Sequence, residues 1–219
     1  MIKAVIFDMD GLLIDSEPLW RRAQTAAYKT VGFELQPEQM NETMGRRVNE
    51  VVEYWYSKHP WKGPSEKDIE ALIVDKLITS VKQEGKMRPG VEHALKVCVE
   101  VKLPLALASS SSNEIIDTVL DALKIRSYFS YVYSAEHEKF GKPHPGVFIT
   151  TAAMLGVSPH DIVVLEDAPS GVLAAKAAKM HCIAVPEPEL RQHPFIRTAD
   201  IVIDSLEEFD ETMLKRFDD

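Results

Sequence analysis

Short β-branched apolar runs alternate along this chain with longer stretches in which apolar residues return every three or four positions. Residues 2–7, Ile-Lys-Ala-Val-Ile-Phe, form the first strand-like run, and 103–108, 131–134, 162–165, 182–185 and 201–203 read as further strands. Residues 19–31 read as a helix whose apolar face is formed by Trp20, Ala23, Ala26, Ala27 and Val31, and 48–56 as a second helix. Ser65 is placed to cap a long third helix with Ile69, Leu72, Ile73, Leu77 and Val81 facing inward. From about residue 16 to residue 84 there is no strand-like run, and the break at 85–90, with Arg88-Pro89-Gly90, returns the chain to alternating strands and helices. Strands separated by helical segments imply a parallel, doubly wound sheet. The expected architecture is therefore α/β: a Rossmann-like core from residues 1–15 and 86–219, with an all-helical insert over 16–85. The alternative is one fused domain carrying a helical lobe.

Composition narrows the class without naming a chemistry. The 219 residues are 45% hydrophobic, enough to bury a sizeable core. No apolar stretch approaches the roughly 18 residues of a spanning helix, and the first residues show no signal-peptide layout. Cys98 and Cys182 lie in apolar surroundings without metal-type spacing, which suits free buried thiols in a reducing cytoplasm. The net charge of −9 argues against broad attraction to nucleic acid or to anionic membranes. A monomer acting on a small molecule is the expected form.

The candidate chemistry sits at strand ends. The first run stops at Asp8-Met9-Asp10-Gly11, and ligands of open α/β sheets bind just beyond the carboxyl ends of strands. Two carboxylates at the mouth of a buried strand are costly unless a cation neutralises them, and Mg²⁺ prefers such oxygen ligands; a calcium loop or a solvated turn is the competing reading of this pair alone. The 103–108 run leads into Ser109-Ser110-Ser111-Ser112-Asn113 at the start of a helical pattern. That is either a plain helix cap or an anion site of hydroxyls and free N–H groups. Lys142 is fixed between Gly141 and Pro143, and a second acidic pair, Glu166-Asp167, closes the 162–165 run, with Gly171 in the helical pattern beyond. A hydroxyl-rich helix start, a lysine and two acidic pairs at one sheet edge specify a phosphate and a divalent metal.

In these residues the chain resembles the haloacid dehalogenase-like phosphohydrolases, in the branch that includes β-phosphoglucomutase. The four motifs of that family occur in order: Asp8-Met9-Asp10-Gly11, Ser109, Lys142 and Glu166-Asp167. Residues 11–20 and 56–65 look most like bacterial sugar-phosphate phosphatases acting on hexitol phosphates and 2-deoxyglucose 6-phosphate. The resemblance implies that Asp8 is the nucleophile and Asp10 the general acid and base. It implies Mg²⁺ held by Asp8, the Asp10 backbone carbonyl and Asp167, with Glu166 acting through water or by holding the other ligands in place. Lys142, Ser109 and Ser110 would bind the phosphoryl group. The insert would be a cap hinged at residues 15–18 and 85–90, with Arg46 and Arg47 of Met44-Gly45-Arg46-Arg47 turned toward the substrate; an exposed, solvated arginine pair is the competing reading. The mutases resembled here carry a histidine close to the position of Trp20, and an indole cannot manage a sugar's protons, which favours hydrolysis over isomerisation. A phosphosugar mutase and a nucleotide or pseudouridine monophosphate phosphatase remain the alternatives.

Overall fold

The computed structural model describes residues 1–217, with the side chains of Pro37 and Glu38 outside the description. Its six strands form one parallel sheet in the order β3-β2-β1-β4-β5-β6. They are β1 (Ala4–Phe7), β2 (Leu105–Ser109), β3 (Tyr131–Ser134), β4 (Ile162–Glu166), β5 (His181–Ala184) and β6 (Ile201–Val202). This is the doubly wound order: the chain steps from β1 outward through β2 to β3, then returns to build β4 to β6 on the other side. The crevice opened by that reversal lies beyond the carboxyl ends of β1, β2 and β4.

The helices are α1 (Glu17–Lys29), α2 (Pro37–Met40), α3 (Val48–Lys58), α4 (Glu66–Glu84), α5 (Val91–Glu100), α6 (Asn113–Leu123), α7 (Gly146–Leu155), α8 (Pro169–Ala177) and α9 (Glu211–Lys215). No helix is long and apolar enough to cross a membrane among the described residues. Strand alternation divides the core in two. Val5 and Phe7 point into one apolar cluster, while Ala4 and Ile6 point into the other. The first cluster runs on into the helical segment through Tyr28, Trp55, Ile69, Ile73 and Leu77, so the insert and one sheet face share an interior.

The strand and helix limits fall within two residues of the sequence reading, and Ser65 caps α4 as expected, in a reciprocal box with Asp68. The inner face of α1 differs. Leu19, Ala23, Ala27 and Tyr28 are buried, whereas Ala26, Val31 and Trp20 are only partly so. The four-residue step from Leu19 to Ala23 to Ala27 sets that face, and Trp20 turns its polar edge elsewhere. The chain enters and leaves the insert side by side. Asp15 N donates to Lys86 O at 2.9 Å and Arg88 N to Leu13 O at 3.0 Å, so the two crossings form one short ribbon. Both cysteines are free and buried, and burial pushes the Cys98 thiol up to about 12.

Candidate active site

Asp8 follows β1 directly, and its N–H still pairs with β4 through Leu165 O at 3.0 Å. It is 6% exposed, as is Asp167, and Glu166 is 1% exposed. Central parallel strands, covered on both faces, have carried these acids into the interior. Lys142 reaches in from the loop before α7. Its Nζ donates to Asp8 Oδ1 at 2.5 Å and to Glu166 Oε1 at 2.7 Å, and it lies 4.8 Å from the centre of the Phe148 ring. Glu166 Oε2 accepts from Ala168 N at 2.7 Å. Both Glu166 oxygens are therefore engaged, and this side chain holds the lysine and the loop.

Burial pushes the Asp8 carboxyl up to about 7; Lys142 draws it down, while Glu166 and Asp10 add to the rise. Burial, then the charges of Glu166 and Asp8, also carry Asp167 well above the usual carboxylate range. For Lys142 burial acts to lower the pKa, but the two carboxylates outweigh it and the ammonium is held above its ordinary value. Three carboxylates around one ammonium leave an excess of negative charge that burial makes costly.

The residues present fit a hard divalent cation. Ligand oxygens of Asp8, Glu166 and Asp167 lie within 4.8 Å of one another. Asp167 Oδ1 is buried without a hydrogen-bond partner among the described residues, an acceptor waiting for a donor or a metal. An all-oxygen donor set, with no histidine or cysteine in the cluster, suits Mg²⁺ and not zinc. Two glycines permit the approach. A Cβ on Gly11, which has φ +77°, would stand 2.0 Å from Asp167 Oδ2, and one on Gly171 would stand 1.5 Å from Glu166 Oε1.

Asp10 belongs to the site but not to the acidic cluster. Its Oδ1 accepts from Trp20 Nε1 at 2.8 Å and its Oδ2 from Ser111 Oγ at 2.7 Å. The serine run divides its work. Ser109 Oγ accepts from Ser111 N at 3.1 Å, and Ser110 Oγ donates to Gly45 O at 2.8 Å. Ser112 stands at the N-cap of α6 without a side-chain cap bond, so the run is not a plain helix cap. Asp8, Asp10, Ser109, Ser110 and Lys142 line one cleft at this sheet edge.

The segment before α3 roofs this cleft, and there the two arginines part. Arg46 is exposed, lines the cleft, and sets its guanidinium 5.3 Å from the centre of the Tyr54 ring. Arg47, expected beside it, does not line the cleft. Its guanidinium donates to Ala135 O at 3.3 Å, Glu138 O at 2.9 Å and Glu50 Oε1 at 2.5 Å. Glu50 in turn accepts from Gly141 N at 3.0 Å. Arg47 is thus a tie between the insert and the core, because two carbonyls distant in sequence meet it there. Ser111, the indole N–H of Trp20 and this Arg47–Glu50 tie were missed in the sequence; only the length of the serine run hinted at Ser111.

The family model for haloacid dehalogenase-like hydrolases matches residues 5–185. Hexitol phosphatase B of Escherichia coli strain K12 is 40% identical over 208 residues, covering 94% of each chain. Among solved structures, CbbY from Rhodobacter sphaeroides in complex with phosphate superposes with a TM-score of 0.88 at 26% identity, over 98% of this chain and 100% of that one. A mutant of the same CbbY bound to xylulose-(1,5)bisphosphate gives a TM-score of 0.84 at 26% identity, over 95% of this chain and 96% of that one. With a family match over residues 5–185, well over half of its length, and a relative 40% identical over 94% of it, the chain belongs to the haloacid dehalogenase-like hydrolase family.

Proposed function

We propose that this enzyme is a Mg²⁺-dependent phosphatase that hydrolyses hexose or hexitol phosphates through an aspartyl-phosphate on Asp8. The observation that carries the reading is the buried Asp8–Lys142–Glu166–Asp167 cluster at the floor of the cleft, with Asp10 held apart from it. The similarity to hexitol phosphatase B supports the substrate class.

An Asp8 oxygen attacks phosphorus, the sugar O–P bond breaks, and Asp10 gives the leaving oxygen its proton. A water then attacks the phosphorylated Asp8, and Asp10 takes the water's proton. Lys142 offsets charge on Asp8 and on the phosphoryl group, while Ser109 and adjacent N–H groups bind its oxygens. Asp8 and Asp167 would hold Mg²⁺, with Glu166 keeping Lys142 in place. When bound, the metal supplies positive charge that stabilises the transferring phosphoryl group. The insert acts as a cap, and Arg46 faces the far end of the substrate.

A panel of phosphate esters tests the substrate class. Steady phosphate release is expected from 2-deoxyglucose 6-phosphate or a hexitol phosphate, at kcat/KM above that for p-nitrophenyl phosphate or nucleotides. β-Glucose 1-phosphate should yield no net glucose 6-phosphate, even with glucose 1,6-bisphosphate present. Fast primer-dependent isomerisation with little phosphate release would instead establish a mutase.

Metal binding should also show in stability. Without metal, Asp8 binds a proton up to about pH 7 in the folded state, whereas its ordinary value is 3.8. Folding therefore loses stability as pH rises through that window, because the folded form must give up a proton it holds more tightly. A bound cation replaces that proton. Mg²⁺ should accordingly raise Tm more at pH 8 than at pH 5.5, relative to EDTA. An equal rise at both values, or none, would refute the assigned ligands.

A further inference from the structure

Asp10 is gripped from two sides. Trp20 comes from the first turns of α1 in the insert, and Ser111 from the loop between β2 and α6 in the core. The terminal torsion of an aspartate is broad and roughly two-fold, so a carboxyl held by one bond still sweeps. Two donors on different oxygens, at 2.8 Å and 2.7 Å, fix its plane. Trp20 also lines the cleft that Asp8 faces. An indole N–H only donates. It can orient a carboxyl without competing with it for a proton.

We propose that Trp20 is a positioning residue: its N–H, together with the Ser111 hydroxyl, aims the Asp10 carboxyl at the water that attacks phosphorylated Asp8. In that step the water oxygen forms the new bond to phosphorus and its proton passes to Asp10. The Asp8 O–P bond breaks, and its electron pair returns to the Asp8 carboxylate. This inference rests on the phosphatase reading above.

p-Nitrophenyl phosphate isolates the step, because nitrophenolate leaves without needing a proton. Trp20→Phe keeps an aromatic wall and removes the donor. A misaimed base costs on the order of 10²-fold in the step it serves. The variant should therefore release about one nitrophenolate per enzyme rapidly, then turn over some 10- to 100-fold more slowly than wild type, with KM unchanged or lower. Ser111→Ala, approached from the core side, should do the same, and it carries the test if circular dichroism shows Trp20→Phe misfolded. Wild-type kcat in a folded Trp20→Phe overturns the inference, whatever Ser111→Ala does. So does a slower kcat without the rapid first release, or a raised KM at unchanged kcat, which would make the indole only a wall. Failure to find phosphate on Asp8 in any of these proteins would instead overturn the covalent mechanism. Phosphate on Asp8 with wild-type turnover in a folded Trp20→Phe overturns only the role given to Trp20.

Discussion

Asp8→Asn is expected to abolish turnover, by about 10³-fold or more, as removal of a nucleophile does, while leaving the fold intact. An amide matches the carboxylate in size and cannot attack phosphorus. The structure adds an expectation for stability. Burial pushes Asp8 up to about 7, so at pH 8 the folded protein carries an ionised group that its surroundings disfavour. A neutral amide removes that charge and leaves Lys142 its second partner, Glu166 at 2.7 Å. In EDTA at pH 8, Asp8→Asn should therefore be as stable as wild type or more so. Activity within tenfold of wild type, with sound circular dichroism, would refute the nucleophile assignment. A large loss of stability at pH 8 would refute the electrostatic account of the cluster.

Lys142→Met is expected to fail in both respects. The Lys142 side chain is buried, and its ammonium touches two buried carboxylates, those of Asp8 and Glu166. Removing one member of such a buried network costs roughly 3–5 kcal/mol when the partners stay charged. Lys142 is held above its ordinary pKa, so its contribution is fully present at neutral pH and is lost only at strongly alkaline pH. The acids, by contrast, can neutralise themselves with protons as pH falls. Metal-free Lys142→Met should therefore lose several kcal/mol at pH 8 and much less at pH 5.5. Its turnover should fall by about 10²- to 10³-fold, the scale seen when one oxyanion-type stabiliser is removed. Urea denaturation at the two pH values, with phosphate-release assays at saturating Mg²⁺, checks both. An equal loss of stability at both values would point to packing against Phe148 and away from charge.

The residues legible in the sequence are those that strand ends position. Asp8, Ser109 and the Glu166-Asp167 pair each stand at or just beyond a strand terminus. A parallel strand flanked by helical segments determines where its end lies, so pattern and chemistry agreed there. Lys142 was legible because Gly141 and Pro143 constrain it. Of the insert's contribution, Arg46 was legible and Arg47's place was not. Arg46 and Arg47 are neighbours in sequence, yet one lines the cleft and the other reaches carbonyls 88 and 91 residues away. No local pattern encodes such a contact. Trp20 read as part of an apolar face because periodicity weighs the ring and ignores the N–H. Ser111 was hidden among identical neighbours, whose distinct partners only the tertiary fold separates.

The most direct test of the covalent mechanism is to look for the phosphate on Asp8. Asp10→Asn should still accept phosphate from p-nitrophenyl phosphate, which needs no acid, but should release it slowly for want of a base. Acid quenching during turnover, digestion and mass spectrometry should then find a phosphorylated peptide containing Asp8, absent when Asp8→Asn is added. Phosphate on another residue, or turnover with no protein-bound phosphate at any time, would contradict the mechanism.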